Sequence, residues 1–342
     1  MRITIIFALV CSLYISQPES IQASIGASAP DLAELCERAD LIVVGLAARV
    51  EPGGLTTLTD NGATYPARLM AVDIKVERAL KGLAQGSSIS FTYSAPTVPV
   101  VSVGGLPIPS GQYGIYFLRE DDGKYKVLDP DFPFVVANPG TPETSGPALD
   151  RVIAEVAHVL EASTTPDKVK EQVVYLLASL RRPNSTYAVR AAARSQPLNV
   201  RFAAMGALLS QGDISVFPEA QQLMLSCDPA IQQSSKESVA SAIGFGVRDA
   251  QAVSLLATLL SSTDVLIRRG AVSALRNTQS ASAEKPLAQA LYDHDSEIQY
   301  CAVIGLAEIT GTVGEWAPAV GTLRRDPQHY LDYWRNWAKS QR

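Results

Sequence analysis

The chain reads as a multidomain β-then-α protein: a strand-rich N-terminal half forming a small closed barrel or sandwich, then a solenoid of stacked helical repeats. Three observations predict this. One helical phrase recurs five times from residue 169 onward. Short runs between residues 40 and 128 follow a period of two. A segment rich in proline and glycine separates the two patterns.

The repeat is clearest in Ile267-Arg268-Arg269-Gly270-Ala271-Val272-Ser273-Ala274-Leu275 and again at residues 298–306, with looser copies at 169–177, 200–208 and 235–243. The starting positions 169, 200, 235, 267 and 298 are spaced by 31, 35, 32 and 31 residues. A repeat of that length is one helix pair, which buries its apolar face only against its neighbours. Ile267, Ala271, Ala274 and Leu275 make one helical face. The equivalent residues Ala204, Val239, Ala271 and Ala302 are mostly small, which permits close packing. Asp264 and Asp295 precede their helices as N-caps, while Pro166 and Pro197 take related positions in the looser copies. Partner helices fit residues 217–226, 250–260 and 284–292. Tyr330, Tyr333, Trp334 and Trp337 form a stripe suited to a terminal capping helix.

In the N-terminal half, residues 41–44, 71–76, 88–93 and 113–118 read as strands, and Asp121-Asp122-Gly123 as a hairpin turn into residues 124–128. Strands without intervening helices suggest a barrel or sandwich. Tyr93, Tyr113, Tyr116 and Phe117 are candidate stacking residues, weighed against the plainer reading that they fill the core. Residues 136–150 read as a linker, with a helix beginning near Ala148.

Composition narrows the function. A net charge of −5 without a run of Lys or Arg argues against nucleic acid as partner. Only His158, His294 and His329 occur, far apart, which leaves little material for metal or acid–base chemistry. Arg2 followed by the largely apolar residues 3–15 reads as a signal peptide over 1–27, too short for a comfortable membrane span. Cleavage leaves Cys36, Cys227 and Cys301, which are no disulfide framework. Cys227 and Cys301 are expected to be buried. The expected location is secreted or periplasmic in a bacterium, without stable membrane insertion after cleavage.

Two resemblances extend this reading. The order ADLIVVG (39–45), ALKG (79–82) and GQYGIYFL (111–118) resembles the netrin-like and tissue-inhibitor-of-metalloproteinase group. That likeness implies an OB-like β-barrel over residues 30–135. The inhibitors' N-terminal Cys-X-Cys is missing, so zinc-protease inhibition does not carry over. The wording DVLIRRGAVSAL (264–275) resembles HEAT repeats, especially the short kind of bilin lyases and deoxyhypusine hydroxylase. It implies an α-α superhelical HEAT-type solenoid over residues 151–342. The hydroxylase's His-Glu pairs, which hold iron, are absent here.

Arg201, Lys236, Arg268 and Gln299 share one repeating position and form a candidate partner-binding ladder. The opposing reading has them bonding local aspartates or turn carbonyls. No catalytic, cofactor-binding or metal-ligating residue is assigned. The expected function is a non-enzymatic, exported binding or scaffold protein for a protein partner. The alternatives are a regulator or inhibitor of an extracellular enzyme acting through the barrel, and a bilin-lyase-like enzyme.

Overall fold

The computed structural model describes residues 30–60, 63–82, 86–97, 108–140, 142 and 145–341. The expected signal segment, residues 1–27, lies outside them. An N-terminal sheet region is followed by a helical repeat region. Among the described residues no helix is long and apolar enough to cross a membrane.

A short helix opens the described chain, α1 (Leu32–Arg38), capped by Asp31, whose carboxylate accepts from the Ala33 and Glu34 amides. Six strands follow: β1 (Leu41–Asp60), β2 (Ala63–Lys81), β3 (Ser88–Pro96), β4 (Tyr113–Asp121), β5 (Lys124–Val127) and β6 (Val135–Val136). Their order is β1-β2-β3-β5-β4-β6, and β4 also pairs with β1, so the hydrogen bonding returns to its starting strand. The β3–β5 pairing is parallel and the others are antiparallel. Gly45 marks a register shift in β1, where a side chain would strike the Lys75 carbonyl of β2. The turn between β4 and β5 takes positive φ at Asp122 and Gly123, as a two-residue hairpin requires.

The two faces of this sheet have different tasks. Val43, Val72, Ile74, Phe91, Tyr93, Tyr116 and Leu118 pack together in one apolar cluster. Ile42, Val44, Ile115 and Phe117 belong to a second cluster, shared with α1 and the helical region. Tyr116 and Phe117 therefore point to opposite faces and both are buried. Tyr93 is buried too and accepts a hydrogen bond from the Ile108 amide. Tyr113 is half-buried and donates to Glu77. Strands β1 and β2 run much further than the short stretches legible in sequence. Past Val50 they continue as a ribbon to the Asp60–Ala63 pair, largely exposed, so no apolar alternation marks them.

The helical region comprises α2 (Ala148–Glu161), α3 (Asp167–Ser179), α4 (Pro183–Ser195), α5 (Leu198–Ser210), α6 (Phe217–Leu225), α7 (Gln233–Gly246), α8 (Val253–Leu259), α9 (Val265–Asn277), α10 (Glu284–Ala290), α11 (Ser296–Thr310), α12 (Val320–Arg325) and α13 (Pro327–Ser340). The five copies of the phrase fall on α3, α5, α7, α9 and α11. Helices α6, α8 and α10 are each entered through a 3₁₀ turn and fall within the expected partner spans. Asp264 and Asp295 cap α9 and α11 as their position requires. Within α13, Trp334 is fully buried and donates to the Trp316 carbonyl, while Tyr333 stacks on Trp316 at 3.7 Å between centroids.

Close approach along the copies depends on glycine. A methyl group on Gly270 of α9 would fall 2.2 Å from the Ala240 carbonyl oxygen of α7, and one on Gly246 would fall 2.1 Å from that of Leu209 in α5. Cys227 departs from expectation: it is exposed, because it follows α6 in the loop beyond the apolar stripe. Cys301 is half-buried, and burial pushes its thiol up to about 11.

Regular structure brackets the expected linker at its two ends, β6 at Val136 and α2 from Ala148. Strand β6 pairs with β4, and α2 lies against the outer face of the sheet in a continuous apolar core. Glu155 of α2 is 1% exposed and accepts from Arg78 of β2 in a fork, Nε–Oε1 2.6 Å and Nη2–Oε2 2.5 Å. Arg78 also pairs with Glu77. Burial works against the Arg78 charge, but the Glu155 carboxylate outweighs it and holds the guanidinium above its ordinary range. Arg151 adds hydrogen bonds to the Ala79 and Leu80 carbonyls.

Two outcomes test this packing. Glu155→Gln leaves the buried Arg78 with Glu77 alone as its counter-charge and lowers stability by about 3 kcal/mol, whereas Arg78→Met with Glu155→Leu recovers most of that loss; calorimetric melting of the three proteins decides it. Gly270→Ala gains about 1 kcal/mol of helix propensity but forces α7 and α9 apart, for a net loss of about 1–2 kcal/mol in urea unfolding.

Candidate interaction surface of the helical repeats

Arg201, Lys236, Arg268 and Gln299 are each the fourth residue of their helix, in α5, α7, α9 and α11. Side chains there lean back toward the helix start. All four meet the loop that enters their helix, or the end of the helix before it. Arg201 Nε donates to the Ala193 carbonyl at 3.3 Å, and its Nη2 pairs with Glu219. Lys236 Nζ donates to the Ser226 carbonyl at 2.5 Å. Arg268 Nη1 donates to the Ser262 and Thr263 carbonyls, and Gln299 Nε2 to that of Asp293 at 2.7 Å. These acceptors lie at or just past the C-terminal ends of the preceding helices, where carbonyls lack intrahelical partners. The four residues are not brought together; each serves its own repeat.

A second set of charges links successive repeats and went unread in sequence. Arg268 forks onto Asp293 at 2.7 and 3.1 Å. Arg269 does the same to Asp295, and Arg276 to Glu308. The separations of 25, 26 and 32 residues, close to one repeat, were the available signal. The hydrogen bonds from these arginines hold the carboxyls of Asp293, Asp295 and Glu308 below the usual carboxylate range.

Between α7 and α9 the surface opens into a cleft of about 390 Å³. Its walls carry Phe245 and Leu266, 67% and 39% exposed, with Glu237 and Arg269 beside them. Gly244 and Gly270, which pack against each other, form part of its lining. Two positions on these walls depart from their equivalents in the other copies. The position of Phe245 holds Ser179, Ser210, Asn277 and Glu308 in the other copies. The position of Leu266 holds Lys168, Asn199, Ser234 and Glu297. Two outward positions that are polar elsewhere thus become apolar in adjacent repeats, and both line the same cleft.

The family model for Armadillo/beta-catenin-like repeats matches residues 247–278, which include α8 and α9. No curated protein matches the chain. Among solved structures, an engineered protein from a structural genomics consortium is 19% identical, with a TM-score of 0.31 over 53% of this chain and 93% of that one. Human deoxyhypusine hydroxylase in complex with glycerol is 16% identical, with a TM-score of 0.22 over 57% of this chain and 85% of that one. The Armadillo match and the row of similar helices fit a repeat of the HEAT or armadillo type.

Because Asp293, Asp295 and Glu308 titrate lower when folded than unfolded, their stabilisation is present above the unfolded carboxyl range of about 4. It is lost as pH falls from there through the folded values. The variant Asp293→Asn, Asp295→Asn, Glu308→Gln leaves α11 capped, because asparagine replaces the capping Asp295 and caps about as well. It is expected to be less stable than the parent at pH 7, with the gap narrowing below about pH 4. Urea unfolding at a series of pH values measures this, and a gap that stays constant refutes it.

Proposed function

We propose that the chain is an exported, non-enzymatic binding protein that holds a protein partner through the α7–α9 face of a HEAT-type superhelical solenoid. On this reading the sheet is an OB-type barrel over residues 30–135, residues 136–150 join it to the repeats, and residues 1–27 are a signal removed on export to a bacterial periplasm or exterior. The strand order that returns from β4 to β1 supports the barrel. The observation that carries the function is the pair of apolar exceptions, Phe245 and Leu266, facing one cleft. An exposed aromatic in a desolvatable hollow is the usual form of a binding hot spot. The Armadillo-like match to α8 and α9 supports a protein-interaction role for the same stretch. Of the ionisable groups at the cleft, Arg269 holds repeats together through Asp295 and Glu297, and Glu237 accepts from Gln233 of its own helix.

A second reading has a specific observation behind it. The β1–β2 ribbon stands beyond the core with Leu55 78% exposed, and it suits a regulator that engages an extracellular enzyme through the sheet region.

Capture from a secreted or periplasmic fraction separates the two. The whole chain is expected to retain a partner that Phe245→Ala with Leu266→Ser loses by about 30-fold, a change of about 2 kcal/mol. Retention by that variant, with loss on Leu55→Ser, moves the contact to the ribbon.

A further inference from the structure

A second surface, independent of the α7–α9 face, lies between α2 and α4. It is a groove of about 440 Å³ whose two walls share one spacing. On α2 the lining includes Asp150, Ala154, Ala157 and Glu161, and on α4 Asn184, Ala188, Ala191 and Ser195. Both sets follow i, i+4, i+7, i+11, the ridge that a packed helix presents to a neighbour. The middle positions on both walls are alanine, so a third helix can approach closely, and larger side chains of its own fill the space. Tyr187, 76% exposed, stands at the lip.

Charge specifies the occupant further. The charged residues among the described lining are two carboxylates, Asp150 and Glu161, one toward each end of α2. Eleven residues of helix put them about 16 Å apart. Asp150 accepts from the Asn184 amide at 2.9 Å, and Glu161 meets His158 at 3.1 Å. Elsewhere in the repeats Asp213, Glu219, Asp293, Asp295 and Glu308 each hold an arginine. Neither groove carboxylate does.

We propose that this groove receives an amphipathic helix of a partner protein, about three turns long, with large aliphatic residues at its centre and a lysine or arginine near each end. Helix-in-groove docking uses anchors of this spacing, and the bases replace the arginines that Asp150 and Glu161 lack.

The test uses the full chain and a fluorescent 18-residue peptide of leucine, alanine and lysine, helical, with two lysines eleven positions apart flanking a leucine stripe. A peptide of the same composition in scrambled order is the control, and fluorescence anisotropy is the readout. The patterned peptide is expected to bind at least tenfold more tightly than the scrambled one. Ala157→Trp, which fills the groove, and Asp150→Lys with Glu161→Lys are each expected to weaken it at least tenfold. Tyr187→Ser, at an exposed site that does not endanger folding, is expected to weaken it about threefold or more, while Phe245→Ala leaves it unchanged. Equal binding of the two peptides overturns the proposal. So does undiminished affinity in both Tyr187→Ser and the double lysine variant, or loss of binding on Phe245→Ala. The Phe245→Ala arm keeps this test distinct from that of the α7–α9 face.

Discussion

A buried charge pair, Arg78 of β2 with Glu155 of α2, joins the two halves of this protein. Glu155 projects from the first repeat helix into a site with almost no solvent access, where the fork of Arg78 is its partner. An ion pair in that position repays its desolvation only when geometry holds both partners still. The sheet supplies that rigidity from one side and α2 from the other. The apolar cluster around the pair runs from α1 and the outer sheet face into the repeats, so α2 belongs to both. Arg151, reaching back to the β2 carbonyls, ties the same helix a second time.

Beyond α2 the packing follows a different rule. Successive copies approach through glycine and alanine, and polar side chains are spent on joints. The fourth residue of four helices anchors to the carbonyls before it, and several arginines cross to a carboxylate one repeat away. A surface occupied this way has little polarity left for outside partners. On the proposed reading, specificity for a partner rests on the few places where the pattern is broken. Phe245 and Leu266 are such a break, and the alanine-walled groove between α2 and α4 is another.

Much of the helical region was legible because its period is strict. The five copies located α3, α5, α7, α9 and α11, and the aspartates marked two of their starts. Helix α4 escaped notice: its buried face rests on Ser185, Val189, Ala192 and Ala193, with little apolar contrast against its surroundings. The sheet was legible where one face is buried, as in Ser88–Pro96, and not where both are wet, as in the ribbon past Val50. Four ladder positions were readable as equivalent, but their hydrogen bonds depend on where the preceding helix ends. The cleft was in principle within reach, since Phe245 and Leu266 stand out once the copies are aligned. The pairing of Arg78 with Glu155 was not, because 77 residues and no periodicity separate them.

The terminal helix α13 has a consequence for assembly. Its indole at position 334 is driven into the last repeat, and α2 is already covered by the sheet at the opposite extremity. A row of stacked hairpins left bare at both extremities invites head-to-tail polymerisation, since each exposed layer matches the one it lacks. Here aromatic rings of α13 cover the last of the described helices and strands cover α2, so neither of these layers is bare to a second copy.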